Sequence, residues 1–131
     1  MRRIAVWVAA VALVLTVFGA GTAAEEERTL TGTYLWEDRG RGGDLEVVFT
    51  PTTEGVWDVA FHFTFRDKPH VYSGTAEGSL SDGGLKGKVF NENKKRTFTF
   101  SGEFKDGEFN GTHAEIKGGK ENRTGTLTLG G

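Results

Sequence analysis

The stretch VWDVAFHFTFRDKPHVYSG at residues 56–74 decides the fold, because apolar and polar side chains alternate along its first ten residues. A period of two is typical of a half-buried strand whose successive side chains point to opposite faces. The side chains on the apolar face are those of Trp57, Val59, Phe61, Phe63 and Phe65. The opposite face carries charged, hydroxyl and small side chains, so the segment predicts a strand with one face in the core.

The turn residues that follow this strand reverse the chain and predict an antiparallel hairpin. The reversal is assigned to the four residues 66–69, which read Arg-Asp-Lys-Pro. Closing the hairpin over them places Phe65 opposite His70 and His62 opposite Ser73. His62 and His70 are then far apart along the strands, so a histidine metal site is not expected. The sequence indicates no cofactor.

The same alternation continues in both directions, and no segment shows a sustained helical period. The predicted strands lie at about 29–37, 44–50, 56–66, 70–80, 85–91, 96–104, 108–116 and 123–129. Short links rich in turn residues separate them, which indicates a meander of hairpins. Eight meandering strands remove their exposed edges by closing into a small antiparallel β-barrel, and a two-sheet β-sandwich is the alternative.

Two links are specific enough to predict the pairing of their flanking strands. Asp106-Gly107 favours a two-residue type I′ turn, in which both residues need positive φ, and this pairs Phe104 with Phe109. A tight link at residues 81–84 pairs Leu80 with Leu85. Several glycines recur on the apolar face, where neighbouring aromatic rings can lie over bare backbone. These glycines are Gly74, Gly78, Gly87, Gly102 and Gly111.

Two short strings resemble strand fragments of the avidin and lipocalin families. They are LTGTY at residues 30–34 and GEFNGT at residues 107–112. The resemblance implies a calycin-like barrel and implies nothing about function.

The first 24 residues are interpreted as a signal peptide. Arg2 and Arg3 precede an apolar run, Ile4–Phe18, and small residues before Glu25 offer a cleavage site. The run is shorter than the ~20 residues that span a bilayer, so no stable membrane insertion is expected after cleavage. Residues 25–28 then form a charged lead, and residues 29–131 form a single barrel domain. The expected location is secreted or periplasmic, with a retained N-terminal anchor as the alternative.

Composition excludes several classes of function. The chain has 131 residues, with 16 basic and 18 acidic side chains. Removing residues 1–24 removes two arginines, so 14 basic residues would face 18 acidic ones, which weakens a nucleic-acid role. The absence of cysteine excludes disulfides, a cysteine nucleophile and a thiolate zinc site. Two basic segments, residues 39–43 and 93–96, are interpreted as solvated loops.

Three aromatic residues near strand ends are the first candidates for a binding site. Trp36, Trp57 and Tyr72 fall on the apolar face, where amphipathic rings at a barrel mouth contact sugars or cover an apolar ligand. The alternative is that they plug the barrel end, because the interior of an eight-stranded barrel is just wide enough to be filled by side chains.

His113 and Glu115 are the second candidates, and their orientation depends on register. Continued from the Asp106-Gly107 turn, the pairing points both side chains inward, as polar anchors or an acid–base pair. A β-bulge near residues 111–112 would turn them outward and place Ala114 and Ile116 inside. The bulge is the favoured interpretation, because Ala114 and Ile116 are the better core residues.

These features leave three hypotheses. The first is a non-catalytic binding protein for a small apolar or sugar-like ligand. The second is a structural or protein-interaction module of the cell envelope, with a solid core and outward apolar residues such as Phe90. The third is an enzyme that uses His113 and Glu115, although no catalytic residue is assigned. The expected partners are therefore a small molecule or an envelope protein.

Overall fold

The structure is a computed structural model that describes residues 26–130. The predicted signal peptide at residues 1–24 and the alternative of an N-terminal anchor lie outside the described residues. Of the charged lead, Glu26 and Glu27 are exposed and Arg28 already belongs to the first strand. A search of residues 26–130 finds no helix whose length and apolar character would suit a membrane span.

Eight strands and one short 3-10 turn make up the described chain. The strands are β1 (Arg28–Trp36), β2 (Arg41–Thr53), β3 (Val56–Phe65), β4 (Lys68–Gly78), β5 (Gly83–Asn91), β6 (Arg96–Lys105), β7 (Glu108–Lys117) and β8 (Lys120–Gly130). Each strand pairs antiparallel with the next, and β8 pairs with β1 to close the barrel. The predicted eight-stranded antiparallel barrel is confirmed, and the two-sheet sandwich is wrong.

The meander gives the barrel two distinct ends. The hairpins β2–β3, β4–β5 and β6–β7 turn at one end, here called the closed end. The hairpins β3–β4, β5–β6 and β7–β8 turn at the opposite end, where the 3-10 turn Glu37–Arg39 also joins β1 to β2. This second end is called the mouth. Because successive strands run in opposite directions, a residue that starts one strand lies near a residue that ends the next.

Large apolar side chains fill the closed end. The most deeply buried of them are Leu30, Phe49, Leu85, Phe109 and Leu129. Trp57 packs edge-on against Phe49, with ring centroids 6.3 Å apart, and its indole nitrogen donates a hydrogen bond to the Gly78 carbonyl. The inward alternation predicted from the sequence therefore produces a dense apolar core at this end.

The β3–β4 hairpin turns over two residues, not the four predicted. Arg66 and Asp67 have φ values of 54° and 63°, as a type I′ turn requires, and Phe65 pairs with Lys68. His70 consequently lies opposite Phe63 rather than Phe65. The tighter turn lets residues 68 and 69 join the ladder, and the register moves by two, so every side chain keeps its predicted face.

The Asp106-Gly107 turn is as predicted. Both residues have positive φ, at 55° and 82°, and Phe104 pairs with Phe109. The β4–β5 link lies two residues earlier than predicted, because Gly78 rather than Leu80 pairs with Leu85 and residues 79–82 form the connection. Two backbone amides of this link donate to the Ser79 hydroxyl, and Leu80 is buried there instead of pairing across strands.

Candidate functional site

A half-open cavity of about 270 Å³ occupies the mouth of the barrel. Its inner wall is largely aromatic, and its rim carries basic side chains. The aromatic residues that line it include Tyr34, Trp36, Phe61, Phe63, Tyr72 and Phe98. The basic residues that line it are Arg39, Arg66, Lys94 and Arg96. The barrel therefore has a filled closed end and an open, mixed apolar and cationic mouth.

The aromatic side chains form a continuous wall through ring-to-ring contacts. The rings of Phe63 and Tyr72 stack with centroids 5.8 Å apart. Tyr72 in turn meets Phe98 edge-on at 5.5 Å, and Phe98 meets Trp36 edge-on at the same distance. Edge-to-face and offset-stacked contacts at these separations are attractive, so each ring is held in position by its neighbours.

Arg96, the first residue of β6, joins this wall to a buried carboxylate. Its Nε and Nη2 atoms each donate to a Glu115 oxygen at 2.9 Å, which makes a two-bonded ion pair. Its guanidinium carbon also lies 5.3 Å from the ring centre of Trp36 and 5.1 Å from that of Phe98. The cation is thus fixed by a carboxylate and by two aromatic rings.

The ion pair shifts the pKa values of both partners so that the ionised form of each is favoured. The hydrogen bonds from Arg96 hold the pKa of Glu115 below its usual value, and those to Glu115 raise the pKa of Arg96. Glu115 is 7% exposed, so an unpaired carboxylate at this position would be costly. The pair therefore stays fully ionised at neutral pH.

His113 occupies the adjacent position on β7, and both ring nitrogens have partners. Nε2 lies 3.0 Å from the Leu35 carbonyl oxygen, which can only accept, so this nitrogen carries a proton. Nδ1 lies 2.6 Å from the Thr124 hydroxyl. The Thr124 hydroxyl also donates to the His113 backbone carbonyl oxygen at 3.1 Å, so this residue contacts both the ring and the main chain of His113. Burial lowers the pKa of His113 and thereby favours the neutral ring.

The favoured prediction of a bulge in β7 is wrong, and the reason lies one strand away. The β6–β7 ladder runs unbroken, with His113 opposite Phe100 and Glu115 opposite Phe98, so both side chains point inward. The irregularity is in the β7–β8 ladder, where His113 pairs with Gly125 and Ala114 with Arg123. Thr124 is therefore the extra residue, and the bulge on β8 brings its hydroxyl to the His113 ring.

The structure brings most of the predicted site residues together. Trp36, Tyr72 and His113 line the cavity, and Glu115 binds Arg96 at its wall. Trp57 does not join them, because β3 begins at the closed end and carries this side chain away from the mouth. The predicted placement of Trp57 at the mouth is wrong, because a position near a strand end does not determine at which end of the barrel the side chain lies.

The sequence interpretation missed the basic residues of the site. The prediction that both basic segments are solvated loops is incomplete, because Arg39 and Lys94 line the cavity and Arg96 is part of its wall. The available signal was the alternation of β6, which puts Arg96 on the same face as Phe98 and Phe100.

A second ion pair fixes the 3-10 turn over the mouth. Arg123 donates to both carboxylate oxygens of Glu37, at 3.0 and 2.9 Å, and thereby ties the turn to β8. These bonds lower the pKa of Glu37. Gly40 ends the turn in the left-handed region with φ 58°, and the neighbouring Arg39 side chain lines the cavity.

Comparisons of the chain with protein-family models, with curated proteins and with solved structures find no match. Within residues 26–130, no three histidine, aspartate or glutamate side chains converge as the ligands of a metal ion would. His113 and Glu115 each bond to a different partner rather than to one another. The described side chains of this site form a cavity with an apolar wall and a cationic rim.

Replacing Glu115 by glutamine is expected to lower the free energy of unfolding by about 1–2 kcal/mol at pH 7. This loss is smaller than that for a fully buried ion pair, because the Arg96 side chain is partly solvated. Because the pKa of Glu115 is lower in the folded protein, its ionised form stabilises the fold at pH values above 4.5, the ordinary pKa of the group. This contribution is lost as the pH falls through the pKa of the folded state. The difference between wild type and variant should therefore shrink below about pH 4.5. Urea unfolding of both proteins at several pH values measures it, and titration of His113 cancels in the comparison. A constant difference down to pH 3 would contradict the assigned pair.

Proposed function

We propose that this protein is an exported, non-catalytic binding protein that holds a small apolar or sugar-like ligand in the mouth of its barrel. The observation that carries the proposal is the half-open cavity of about 270 Å³ with aromatic walls above a filled closed end. Concave, mostly apolar sites with a few convergent polar groups are the usual form of small-molecule sites. Export rests on the sequence interpretation of residues 1–24.

The volume of the cavity limits the size of the ligand. A dry apolar cavity of roughly 150 Å³ accepts benzene, and sites for drug-sized ligands begin at roughly 300 Å³. A cavity of about 270 Å³ falls between these values. The ligand body is therefore a molecule of one or two rings, or an equally short aliphatic chain.

The surroundings of Trp36 favour an apolar body over a sugar. Sugars bind to the open face of an aromatic ring, whereas this ring is surrounded by the Arg96 guanidinium, the Phe98 ring and the His113 ring. Trp36 therefore supports the wall and offers little free face for stacking. An apolar molecule instead contacts the aromatic wall to which Trp36, Tyr72 and Phe98 contribute.

An alternative function is a protein-interaction module, as the second hypothesis from the sequence holds. Phe90 on β5 is 41% exposed, as its outward alternation predicts, and Val71 on the neighbouring β4 is 47% exposed. The two side chains form a small outer apolar area. The cavity favours the binding proposal, because a module of this kind needs no opening in its core.

Two measurements test the proposal. Native mass spectrometry of the mature protein, purified gently from its own host, should show a discrete added mass that is lost on unfolding. Titration of the purified protein with 1-naphthylamine, a neutral two-ring fluorescent dye, should show a saturable change in fluorescence at one site. Trp36→Ala should weaken binding of the dye by about tenfold, which corresponds to the loss of one aromatic contact worth about 1.4 kcal/mol.

The matched control is Phe90→Ala, which removes an aromatic ring from the outer surface and should leave dye binding unchanged. A clean apo mass together with no saturable dye binding would contradict the proposal. Equal losses in the two variants would place the dye on the outer surface and favour the interaction module.

A further inference from the structure

We propose that the ligand is a small monoanion, with its apolar body against the aromatic wall and its anionic head among Tyr72, Arg96 and the basic rim. This inference rests on the proposed function and names the chemical class of the ligand. According to this inference, neutral and cationic molecules of the same shape bind more weakly than the anion. Three separate observations support it.

The first observation is the sign of the charges that line the cavity. Arg39, Arg66, Lys94 and Arg96 line it, and no aspartate or glutamate among residues 26–130 does. This is the reverse of the whole chain, in which acidic side chains outnumber basic ones by 18 to 16. Acidic residues of the mouth loops, such as Asp67 and Glu92, are exposed and lie outside the cavity lining.

The second observation is that most of this positive charge is unpaired. Among the described residues, Arg39, Arg66 and Lys94 form no ion pair, whereas Arg96 is paired with Glu115. Glu115 accepts from Nε and Nη2 of Arg96 and leaves Nη1 without a partner in the described chain. An anion in the mouth would gain several cations without displacing an existing carboxylate.

The third observation is a hydroxyl group in the cavity wall that has no partner in the described chain. The Tyr72 residue is only 6% exposed and lines the cavity, yet no described side chain or carbonyl forms a hydrogen bond with its hydroxyl group. Because a tyrosine hydroxyl can donate one hydrogen bond and no protein group accepts it, this hydroxyl is available to a ligand in the mouth. Burial raises the pKa of Tyr72, so the hydroxyl keeps its proton and can donate to an anionic head.

The experiment compares three probes of nearly equal shape by calorimetry at low salt. The probes are 2-naphthoate, the neutral 2-naphthamide and the cationic 2-naphthylmethylammonium. We expect 2-naphthoate to bind at least about tenfold more tightly than the amide, and the cation to bind more weakly still. The preference for the anion should fall as salt is raised to 0.5 M, because exposed rim charges are screened.

Two variants locate the head group. Tyr72→Phe keeps the ring and removes the hydroxyl, so it should weaken 2-naphthoate binding about fivefold while the melting temperature stays unchanged or rises by up to about 4 °C. The triple variant Arg39→Gln, Arg66→Gln, Lys94→Gln should abolish most of the preference for the anion. Its control, Lys86→Gln, Lys88→Gln, Lys105→Gln, makes the same change in net charge on exposed side chains outside the cavity lining and should keep that preference.

The outcomes separate failure of this inference from failure of the proposed function. If no probe binds, the binding function itself is wrong. If the three probes bind equally, the cavity binds ligands but the anionic class is overturned. Tighter binding of 2-naphthoate in wild type, lost in the rim variant and kept in its control, supports the inference. Octanoate, run in parallel, shows whether an acyl chain serves as the apolar body as well as a flat ring.

Discussion

Truncating Phe109 to alanine is expected to lower the free energy of unfolding by about 3–5 kcal/mol, which is the usual cost of removing a fully buried phenylalanine. The side chain of Phe109 is completely inaccessible and packs against Phe104, with ring centroids 5.3 Å apart, and against Phe100 at 6.3 Å. The strands of a closed barrel cannot move inward freely to refill the space, so most of the cavity would persist. Chemical unfolding of the variant and the wild type measures the difference.

The matched variant is Phe63→Ala, which removes the same side chain from the mouth. Phe63 is only partly buried and borders the open cavity, so its removal enlarges a space that water already reaches. The loss should be less than half of that for Phe109→Ala. Equal losses would contradict the division of the interior into a filled closed end and an open mouth.

The inward faces of β3, β4 and β6 follow from the sequence alone, because the alternation of apolar and polar residues decides them. Alternation puts Phe98, Phe100 and Phe104 on one side of β6, and any register that keeps them inside differs from the true one by an even number of residues. For this reason the inward and outward faces of β3 and β4 are as predicted, although the predicted turn between them is two residues too long. The Asp106-Gly107 turn was predictable as well, since few residue pairs tolerate positive φ at both positions.

The mouth was less predictable, because its arrangement depends on neighbours that are distant in sequence. The inward position of Glu115 costs little only when the Arg96 guanidinium is present, and these residues are 19 positions apart. A preference for apolar Ala114 and Ile116 as core residues ignores that compensation. The β8 bulge likewise brings the Thr124 hydroxyl to the His113 ring, a contact between residues on different strands that no local sequence pattern indicates.

The glycines on the inward faces of the strands leave room for the backbone of a neighbouring strand, and some leave room for an aromatic ring as well. At Gly87 and Gly111 an added Cβ would lie 2.6 and 2.5 Å from a carbonyl oxygen of the neighbouring strand, and it would also meet the ring of Phe100 or Phe109 at 2.7 Å. At Gly32 and Gly125 an added Cβ would overlap a carbonyl oxygen of the neighbouring strand. Both of the latter lie on the ladder between β1 and β8, the seam that closes the barrel.

Gly32→Ala is accordingly expected to destabilise the fold by about 3 kcal/mol or more, because overpacking of this severity forces a shift of the backbone. The added methyl group would overlap the Thr128 carbonyl oxygen and lie 2.9 Å from the α-carbon of Leu129. Both atoms belong to the backbone of β8, so no side-chain rotation can relieve the contact. The seam would have to widen, and hydrogen–deuterium exchange should increase at the amides of β1 and β8 before those of β3 and β4.

The control for this prediction is Gly84→Ala on β5. An added Cβ there meets nothing closer than the Gly102 carbonyl oxygen at 4.0 Å, and its φ is not in the left-handed region. The free energy of unfolding should then change by no more than about 0.5 kcal/mol. Similar losses in the two variants would show that any replacement of glycine destabilises the fold. A loss confined to Gly32→Ala, with increased exchange localised to β1 and β8, would show that pairing of these two strands requires a residue without a side chain at position 32.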